Sequence, residues 1–241
     1  MDVIIRPTDE VGITAAQLIA ARVRAKPDCV LGLATGSTPL PIYAELSRMV
    51  AAGELSLARC SGYLLDEYLG LRPDHPEGYR NFIERELVAR TDIDTAAVHA
   101  LDGATTDAAT TCAAFEQAIA RAGGVDIQIL GVGSNGHIAF NEPGSALDSR
   151  TRTIELTEQT RRDNSRFFDH DLDEMPTLAL SQGLGTIMEA RELVLVVTGA
   201  HKAEAVHHLL HDEPSVQWPV TALHYHPHAT VVVDEAAAAG V

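Results

Sequence analysis

The sequence feature that most restricts the fold is the alternation of short apolar runs with longer amphipathic stretches. The apolar runs have the length and composition of buried strands, and they lie at 3–5, 29–33, 63–65, 125–130, 192–197 and 230–233. The stretches between them carry helical periodicity or helix-boundary signals, as at 9–26, 112–122 and 201–210. Strands that alternate with helices are typical of a parallel sheet. We therefore predict an α/β fold in which a mostly parallel sheet carries helices on both faces.

The whole chain, 1–241, is predicted to form a single domain. Of its 241 residues 46% are apolar, which is enough for one substantial core, and no Pro, Gly or Ser-rich linker divides it. Two long connections, 66–78 and 131–150, follow predicted strands. Ligands of open α/β sheets bind beyond the carboxyl ends of the strands, so we expect the functional site in these connections.

The strong negative charge restricts the partners. Eighteen Lys and Arg residues against 34 Asp and Glu residues give a formal charge of −16. A surface this acidic repels phosphate backbones and anionic lipid headgroups over about 10 Å. We therefore expect neither a nucleic-acid nor a membrane partner, and an anionic small molecule must be held by local groups.

A cytoplasmic location is expected from the cysteines and from the lack of long apolar runs. Cys29, Cys60 and Cys112 are far apart and show no Cys-x-x-Cys spacing, which favours a reducing compartment. No apolar run approaches the roughly 18 residues of a spanning helix, and the first residues are too charged for a secretory signal.

The segment 34–39 has the features of an anion-binding loop between a strand and a helix. Gly36 allows the backbone to approach a ligand, and the hydroxyls of Thr35, Ser37 and Thr38 can donate hydrogen bonds. The N–H groups of the following helix start also favour a phosphate. The segment lacks the Lys of a nucleotide P-loop. On these residues alone an ordinary helix cap remains an equal alternative.

The segment 131–136 matches Gly-x-Gly-x-x-Gly, but we reject a dinucleotide site. That fingerprint requires a helix directly after the third Gly, whereas here the chain soon reaches Pro143. The glycines instead predict a loop that presents His137 and Glu142, a pair suited to general acid and base catalysis. A surface His beside an unrelated Glu is the alternative.

Asp66 follows the predicted strand 63–65 and is flanked by leucines. Partial desolvation would raise the pKa of its carboxyl and suit it to remove a carbon-bound proton. A helix cap or a solvated turn remains open. Seven of the 11 His residues lie from His201 onward, but they span at least two elements without a zinc motif, so no metal site is expected.

Four segments, 31–39, 65–71, 131–143 and 164–168, together closely resemble the glucosamine-6-phosphate deaminase family. The resemblance covers nearly the whole chain, and the run from Gly136 to Pro143 is its most specific part. It implies a modified Rossmann-like fold, an amino sugar phosphate as substrate, and conversion to fructose 6-phosphate and ammonia without a cofactor or metal.

The resemblance also assigns roles to single residues. The implied substrate-binding residues are Thr35, Gly36, Ser37, Thr38, Tyr79, Gly133, Arg166 and Lys202, of which Arg166 and Lys202 supply positive charge and Tyr79 belongs to a mobile lid. The implied catalytic residues are Asp66 for the C2 proton, His137 for ring opening, and Glu142 with Asn135 beside it.

Three departures qualify the resemblance. Many members carry Asp at the position of Asn135, and Asn orients an imidazole through its carbonyl without adding charge. Allosteric members carry a basic residue at the position of Ile154 and a Ser at that of Ala146, and they have a longer tail. We therefore expect a non-allosteric enzyme, monomeric or a small homo-oligomer, without activation by N-acetylglucosamine 6-phosphate.

Two other functions are alternatives to a deaminase. A 6-phosphogluconolactonase shares the fold, but its loop His is followed by Thr-Ala-Ser-Leu, whereas here Ile138 to Glu142 follow. A non-catalytic sugar-phosphate sensor would tolerate loss of Asp66, His137 and Glu142, and all three are present. The residues do not separate glucosamine from galactosamine 6-phosphate.

Overall fold

The computed structural model describes residues 1–165, 168, 171–172 and 174–239. Its strands are β1 (Asp2–Arg6), β2 (Val30–Leu33), β3 (Ser61–Leu64), β4 (Asp66–Leu69), β5 (Val98–His99), β6 (Ile127–Leu130), β7 (Arg152–Glu155), β8 (Leu178–Ser181), β9 (Leu193–Val197) and β10 (Ala229–Asp234). Its α-helices are α1 (Thr8–Ala25), α2 (Leu40–Ala51), α3 (Tyr79–Glu86), α4 (Ala108–Arg121), α5 (Glu158–Asn164), α6 (Leu184–Met188) and α7 (Ala203–His211). No helix in these ranges combines the length and the apolar character that a bilayer crossing requires.

A seven-stranded sheet forms the centre of the molecule, in the order β1-β10-β9-β6-β2-β3-β5. Every neighbouring pair in it is parallel. All residues of β2, β6 and β9 are buried, since helices cover the strands on both faces, and this explains their continuous apolar sequences. The predicted parallel α/β sheet is confirmed.

The direction of the crossovers explains why helices lie on both faces. The connections through α1 and α2 step toward the β5 edge, whereas those through α4 and α7 step toward the β1 edge. Crossovers between parallel strands are right-handed, so opposite directions place the helices on opposite faces. In agreement with this, α1 packs against α2.

A second, antiparallel sheet of three strands, in the order β4-β8-β7, was not predicted. The prediction that 66–78 is a connection was wrong for Asp66–Leu69, which form β4. The three strands are four residues long and come from remote parts of the chain. β4 begins with two buried acidic residues and so shows no continuous apolar run, and four residues are too few for a pattern to stand out in β7 or β8.

The main hydrophobic core lies between the large sheet and its helices, and a smaller cluster lies against the second sheet. The smaller cluster consists of Tyr68, Phe140, Leu156, Phe168, Met175 and Ala179. Tyr79 packs against both clusters. Aromatic packing thus fastens the second sheet to the carboxyl edge of the first.

The packing of α1 on α2 gives a test of the fold. A Cβ at Gly12 would lie 2.4 Å from the Cβ of Pro41 and 3.1 Å from its backbone carbonyl carbon. We predict that Gly12→Ala lowers the free energy of unfolding by about 1–3 kcal/mol, as overpacked cores do, despite the better helix propensity of Ala. Thermal unfolding measures this. Gln17→Ala, at an exposed position of α1, is the control, and equal stability of the two variants would contradict the prediction.

Candidate active site

The site lies between β2 and β6, where the connections of the large sheet reverse the direction in which they step across it. From β2 the chain continues toward β3 on one side, and from β6 it continues toward β9 on the other. Such a switch point leaves a crevice at the carboxyl ends of the strands. Here the crevice is a pocket that encloses about 900 Å³, part of it open to solvent, and of the predicted residues it is lined by Thr35, Gly36, Ser37, Thr38, Asp66, Tyr79, Gly133 and His137.

The remaining predicted residues lie elsewhere. Asn135 and Glu142 lie behind His137 rather than in the pocket wall. Lys202 follows β9 at the start of α7 and does not line the pocket, although its charge acts on the His137 imidazole. Arg166 lies outside the described residues. The structure therefore brings together three segments remote in sequence, at 34–38, 66–79 and 131–142.

The loop 34–38 leads from β2 into α2 and suits an anion. Gly36 has a φ of +90°, and in the described part of the chain no atom lies within 4 Å of the position of a Cβ there. Among the described residues no side chain caps the start of α2, whose first turn carries no acidic residue. The positive end of the helix dipole thus faces the loop hydroxyls without competition from a carboxylate.

Gly133 makes room for the His137 imidazole. A Cβ at Gly133 would lie 2.2 Å from the ring carbon Cε1 and 2.3 Å from Nδ1, so only glycine fits beneath the ring. The backbone N–H of Gly133 donates to the carbonyl of His137 at 2.9 Å, which closes the loop on itself. Gly136, with a φ of +81°, completes the turn against Trp218. Gly133 and Gly136 thus shape the loop that carries His137.

The imidazole of His137 faces a carboxylate. Its Nδ1 lies 3.7 Å from Oε2 of Glu142 and, within the described residues, makes no hydrogen bond although it is buried. Burial lowers the pKa of His137, and the charge of Lys202 lowers it further, while Glu142 and Asp163 oppose the change. The neutral imidazole, which can accept a proton, is therefore favoured near neutral pH.

Glu142 is buried and held by three side-chain donors. Its Oε2 accepts a hydrogen bond from the Asn135 amide at 2.9 Å, and its Oε1 accepts hydrogen bonds from the hydroxyls of Thr157, at 3.1 Å, and Thr160. Sequence reasoning missed both threonines, because their only local signal is the capping of α5, where Thr157 accepts from the backbone N–H of Thr160.

Asn135 acts on Glu142 and on the backbone rather than on the ring. Its carbonyl oxygen accepts from the backbone N–H of His137 at 3.2 Å. In this structure the carbonyl thus contacts the backbone of His137 rather than its ring. The amide instead fixes the carboxylate oxygen that faces Nδ1.

Asp66 is the first residue of β4, and its side chain is buried at the pocket. Burial raises the pKa of its carboxyl well above the usual value, and the neighbouring Glu67 raises it further. A solvated turn is therefore excluded at this position. A carboxylate with a raised pKa is a stronger base, which suits the removal of a carbon-bound proton.

An aromatic and amide wall completes the pocket, and Tyr79 is the only one of its residues that sequence reasoning assigned to the site. The Tyr79 hydroxyl donates to that of Tyr68 at 3.2 Å, and the Asn164 amide donates to the same oxygen at 3.3 Å. The rings of Tyr79 and Phe140 stack with centroids 6.0 Å apart. Three of these residues fall within the segments that carried the family resemblance, but only the fold shows that they meet.

The histidines near the carboxyl terminus form separate local contacts. The described residues contain no group of three His, Cys, Asp or Glu side chains placed to hold a metal ion. The rings of His207 and His211 lie 4.7 Å apart on α7, and Nε2 of His226 contacts the carbonyl of Ala190 at 2.7 Å. His208 stacks on Trp218.

Comparison with known proteins places this geometry in a family. The family model for glucosamine-6-phosphate isomerases and 6-phosphogluconolactonases matches residues 8–233. The chain belongs to this family. It is 56% identical over 239 residues to a glucosamine-6-phosphate deaminase of Mycolicibacterium smegmatis and 54% identical to one of Beutenbergia cavernae, covering 99% of this chain and 92% of each relative.

Solved structures agree with the same family. A monomeric glucosamine-6-phosphate deaminase, 39% identical, superimposes with a TM-score of 0.97 over 99% of both chains. A 6-phosphogluconolactonase from Trypanosoma cruzi gives a TM-score of 0.79 at 21% identity, over 100% of this chain and 96% of its own. The second match shows the shared fold alone.

The contact between Gly133 and His137 predicts a loss of activity in Gly133→Ala. The added methyl displaces the imidazole, and a displacement of about 1 Å costs on the order of 100-fold in rate. Steady-state kinetics on the substrate proposed below measure the loss. Ser134→Ala, in the same loop but outside the pocket lining, is the control. An equal loss in the two variants would contradict the role given to Gly133.

The buried carboxyl of Asp66 predicts a pH-dependent gain in stability for Asp66→Asn. Because the folded-state pKa is raised, the carboxyl stabilises the fold only while protonated, and that stabilisation is lost as the pH rises from its unfolded pKa through its folded pKa. Asn does not titrate, so the melting temperature of the variant minus that of the wild type should increase from acid to neutral pH. Thermal melts at a series of pH values measure this, and a difference that decreases with pH would contradict it.

Proposed function

We propose that the protein is a glucosamine-6-phosphate deaminase that converts glucosamine 6-phosphate and water to fructose 6-phosphate and ammonia. The observation that carries this proposal is the meeting of a buried carboxyl, Asp66, and a neutral imidazole, His137, in one pocket beside an anion-binding loop. The close relatives that bear this name support it.

The phosphate is proposed to bind at the loop 35–38. The backbone N–H groups of the loop itself and its three hydroxyls supply donors. Lys202 and Arg166 supply the positive charge that a protein of net charge −16 must concentrate locally. Tyr79 and Gly133 then border the sugar rather than the phosphate.

His137 is proposed to open the pyranose ring. The neutral imidazole accepts the proton of the anomeric hydroxyl and returns it to the ring oxygen, which leaves an open-chain aldehyde at C1. The transient imidazolium is stabilised by Glu142, whose Oε2 lies 3.7 Å from Nδ1. Asn135 and the two threonines keep that carboxylate in place.

Asp66 is proposed to remove the proton from C2. The electrons of the C2–H bond form the C1–C2 double bond, and the C1 carbonyl oxygen gains a proton, which gives an enolamine. Reprotonation at C1 produces an iminium group at C2. Water adds to C2 and ammonia leaves, so the product is the 2-ketose. These steps need only positioning and proton transfer.

The competing functions have less support. The lactonase neighbours share the fold at low identity, and the loop from Ile138 to Glu142 supplies the carboxylate behind the imidazole that the deaminase reaction uses. A sensor without catalysis has no use for the buried Asp66. The choice between the glucosamine and galactosamine epimers remains outside the proposal.

We further propose a cytoplasmic enzyme that acts on a small molecule, without a nucleic-acid or membrane partner, as a monomer or a small homo-oligomer. The monomeric state of the solved deaminase favours a monomer. The predicted lack of activation also stays a proposal. It is supported by Ile154 and Ala146, which supply neither the basic group nor the hydroxyl of the allosteric members.

The proposal predicts that purified protein releases ammonia and fructose 6-phosphate in equal amounts from glucosamine 6-phosphate. Asp66→Asn, which keeps the shape but not the base, should lower kcat by about 100- to 10,000-fold. Both products are measured by coupled assays. Binding without turnover in the wild type would favour the sensor, and hydrolysis of 6-phosphogluconolactone instead would favour the lactonase.

A further inference from the structure

The carboxyl group next to the proposed base faces away from the pocket. Successive side chains of a strand point to opposite faces, so Glu67 leaves β4 on the side opposite to Asp66. Asp66 lines the active-site pocket, whereas Glu67 lines a separate cavity with Gly78 and Arg80. Glu67 is nevertheless buried, with 6% of its surface exposed. A buried carboxylate requires hydrogen-bond donors, and its position outside the pocket requires an explanation.

The partners of Glu67 are three backbone N–H groups. Its Oε1 accepts from the N–H of Tyr68 and from that of Tyr79, both at 2.9 Å, and its Oε2 accepts from the N–H of Arg80 at 3.0 Å. Tyr79 and Arg80 are the first residues of α3. Gly78, the residue before the helix, offers no side chain for a cap. Glu67 therefore caps α3 from a different element, and its charge complements the positive end of the helix.

The capped helix start carries a wall of the active site. Tyr79 lines the pocket, and its hydroxyl bonds to that of Tyr68 on the same strand as Glu67. The start of α3 is thus tied to β4 twice, by the carboxylate at the backbone and by the hydroxyl at the side chain. Without the carboxylate, one buried and two partly buried N–H groups lose their acceptor, and the remaining contact joins two side chains.

We propose that Glu67 is a positioning residue of the active site: its carboxylate fastens the start of α3 to β4 and so holds Tyr79 in the wall of the pocket that Asp66 lines. The inference rests on the proposed function, since it assigns Glu67 to the geometry of the same reaction. It assigns a role to Glu67, the acidic residue that directly follows the proposed base.

Glu67 also acts on the base through charge. The titratable groups around Asp66 are Glu67 and Tyr68 on its own strand, Tyr79 on α3, Glu77 in the segment before it, and His137 on the loop after β6. Burial raises the pKa of Asp66 most, and Glu67 is the charge that adds to this. Burial raises the pKa of Glu67 as well, and its three N–H donors oppose that rise. Neutralising Glu67 should therefore lower the pKa of Asp66.

Two substitutions separate the position of Glu67 from its charge. Glu67→Gln keeps the length, loses the charge, and turns an amide N–H toward a backbone N–H. Glu67→Asp keeps the charge but is one methylene too short to reach α3. Glu155→Gln, on an exposed position of β7 in the same sheet, is the matched control for the loss of one negative charge.

Kinetics with glucosamine 6-phosphate over a range of pH give the first readout. We expect kcat to fall about 10- to 100-fold in both Glu67 variants, because the pocket wall shifts, and to stay unchanged in the control. In Glu67→Gln the acid limb of kcat/KM should move to lower pH, because the base loses a like-charged neighbour. In Glu67→Asp the limb should stay in place.

Hydrogen exchange of the backbone amides gives the second readout and needs no substrate. The amides of Tyr79 and Arg80 should exchange faster in both Glu67 variants than in the control, while amides of the large sheet stay equally protected. If Glu67→Gln does not fold, the exchange and kcat measurements are made on Glu67→Asp alone.

Different results would overturn the role of Glu67 and the proposed function. A folded Glu67→Gln with wild-type kcat and wild-type exchange at Tyr79 and Arg80 overturns the positioning role. A fall in kcat with an unmoved acid limb overturns the action of Glu67 on the base and leaves it a cap of α3. A wild type that releases no ammonia from glucosamine 6-phosphate overturns the proposed function, while the exchange measurement still tests the tie between Glu67 and α3.

Discussion

The site depends on the joint at which the chain passes from one sheet into the other. β3 ends at Leu64 and β4 begins at Asp66, so Leu65 alone lies between a parallel and an antiparallel sheet. Leu65 donates its N–H to the carbonyl of Leu33 on β2 at 3.2 Å and accepts from the N–H of Gln182 at 2.8 Å. Both sheets therefore hold this residue. The next side chain, that of Asp66, is therefore held at the carboxyl edge of the large sheet. Its burial, which raises the pKa of the carboxyl, follows from this position.

The second sheet also sets the place of the imidazole relative to the base. Ser181 on β8 lies opposite Asp66 in the ladder, and its hydroxyl accepts from the backbone N–H of Phe140 at 3.2 Å. Next to it, the Asn141 amide donates to the carbonyl of Gln182 at 2.7 Å. The loop that carries His137 is thus bonded to the strand that pairs with β4. The proton transfers proposed for these two groups require such a fixed spacing, because small displacements are costly in rate.

The sequence predicted those features of the fold and the site that are determined within a single segment of the chain. The strands of the large sheet were predicted because runs such as Leu193–Val197 are apolar throughout, which only burial on both faces explains. His137 and Asp66 were found because their motifs end strands, and strand ends meet at one edge. The second sheet and the contacts of Glu67 and Thr160 were missed, because they depend on the pairing of segments remote in sequence. The residue pattern within one segment does not show which remote segment it pairs with.

The hydroxyls that hold Glu142 have a consequence for how ligand binding and acid strength are connected. Thr157 and Thr160 belong to the cap and first turn of α5, and the segment that contains the proposed phosphate ligand Arg166 continues directly from the end of this helix. The position of the carboxylate that faces the imidazole therefore depends on the position of α5. Under the proposed function, one short helix thus lies between the residue proposed to hold the phosphate and the carboxylate proposed to stabilise the ring-opening imidazolium.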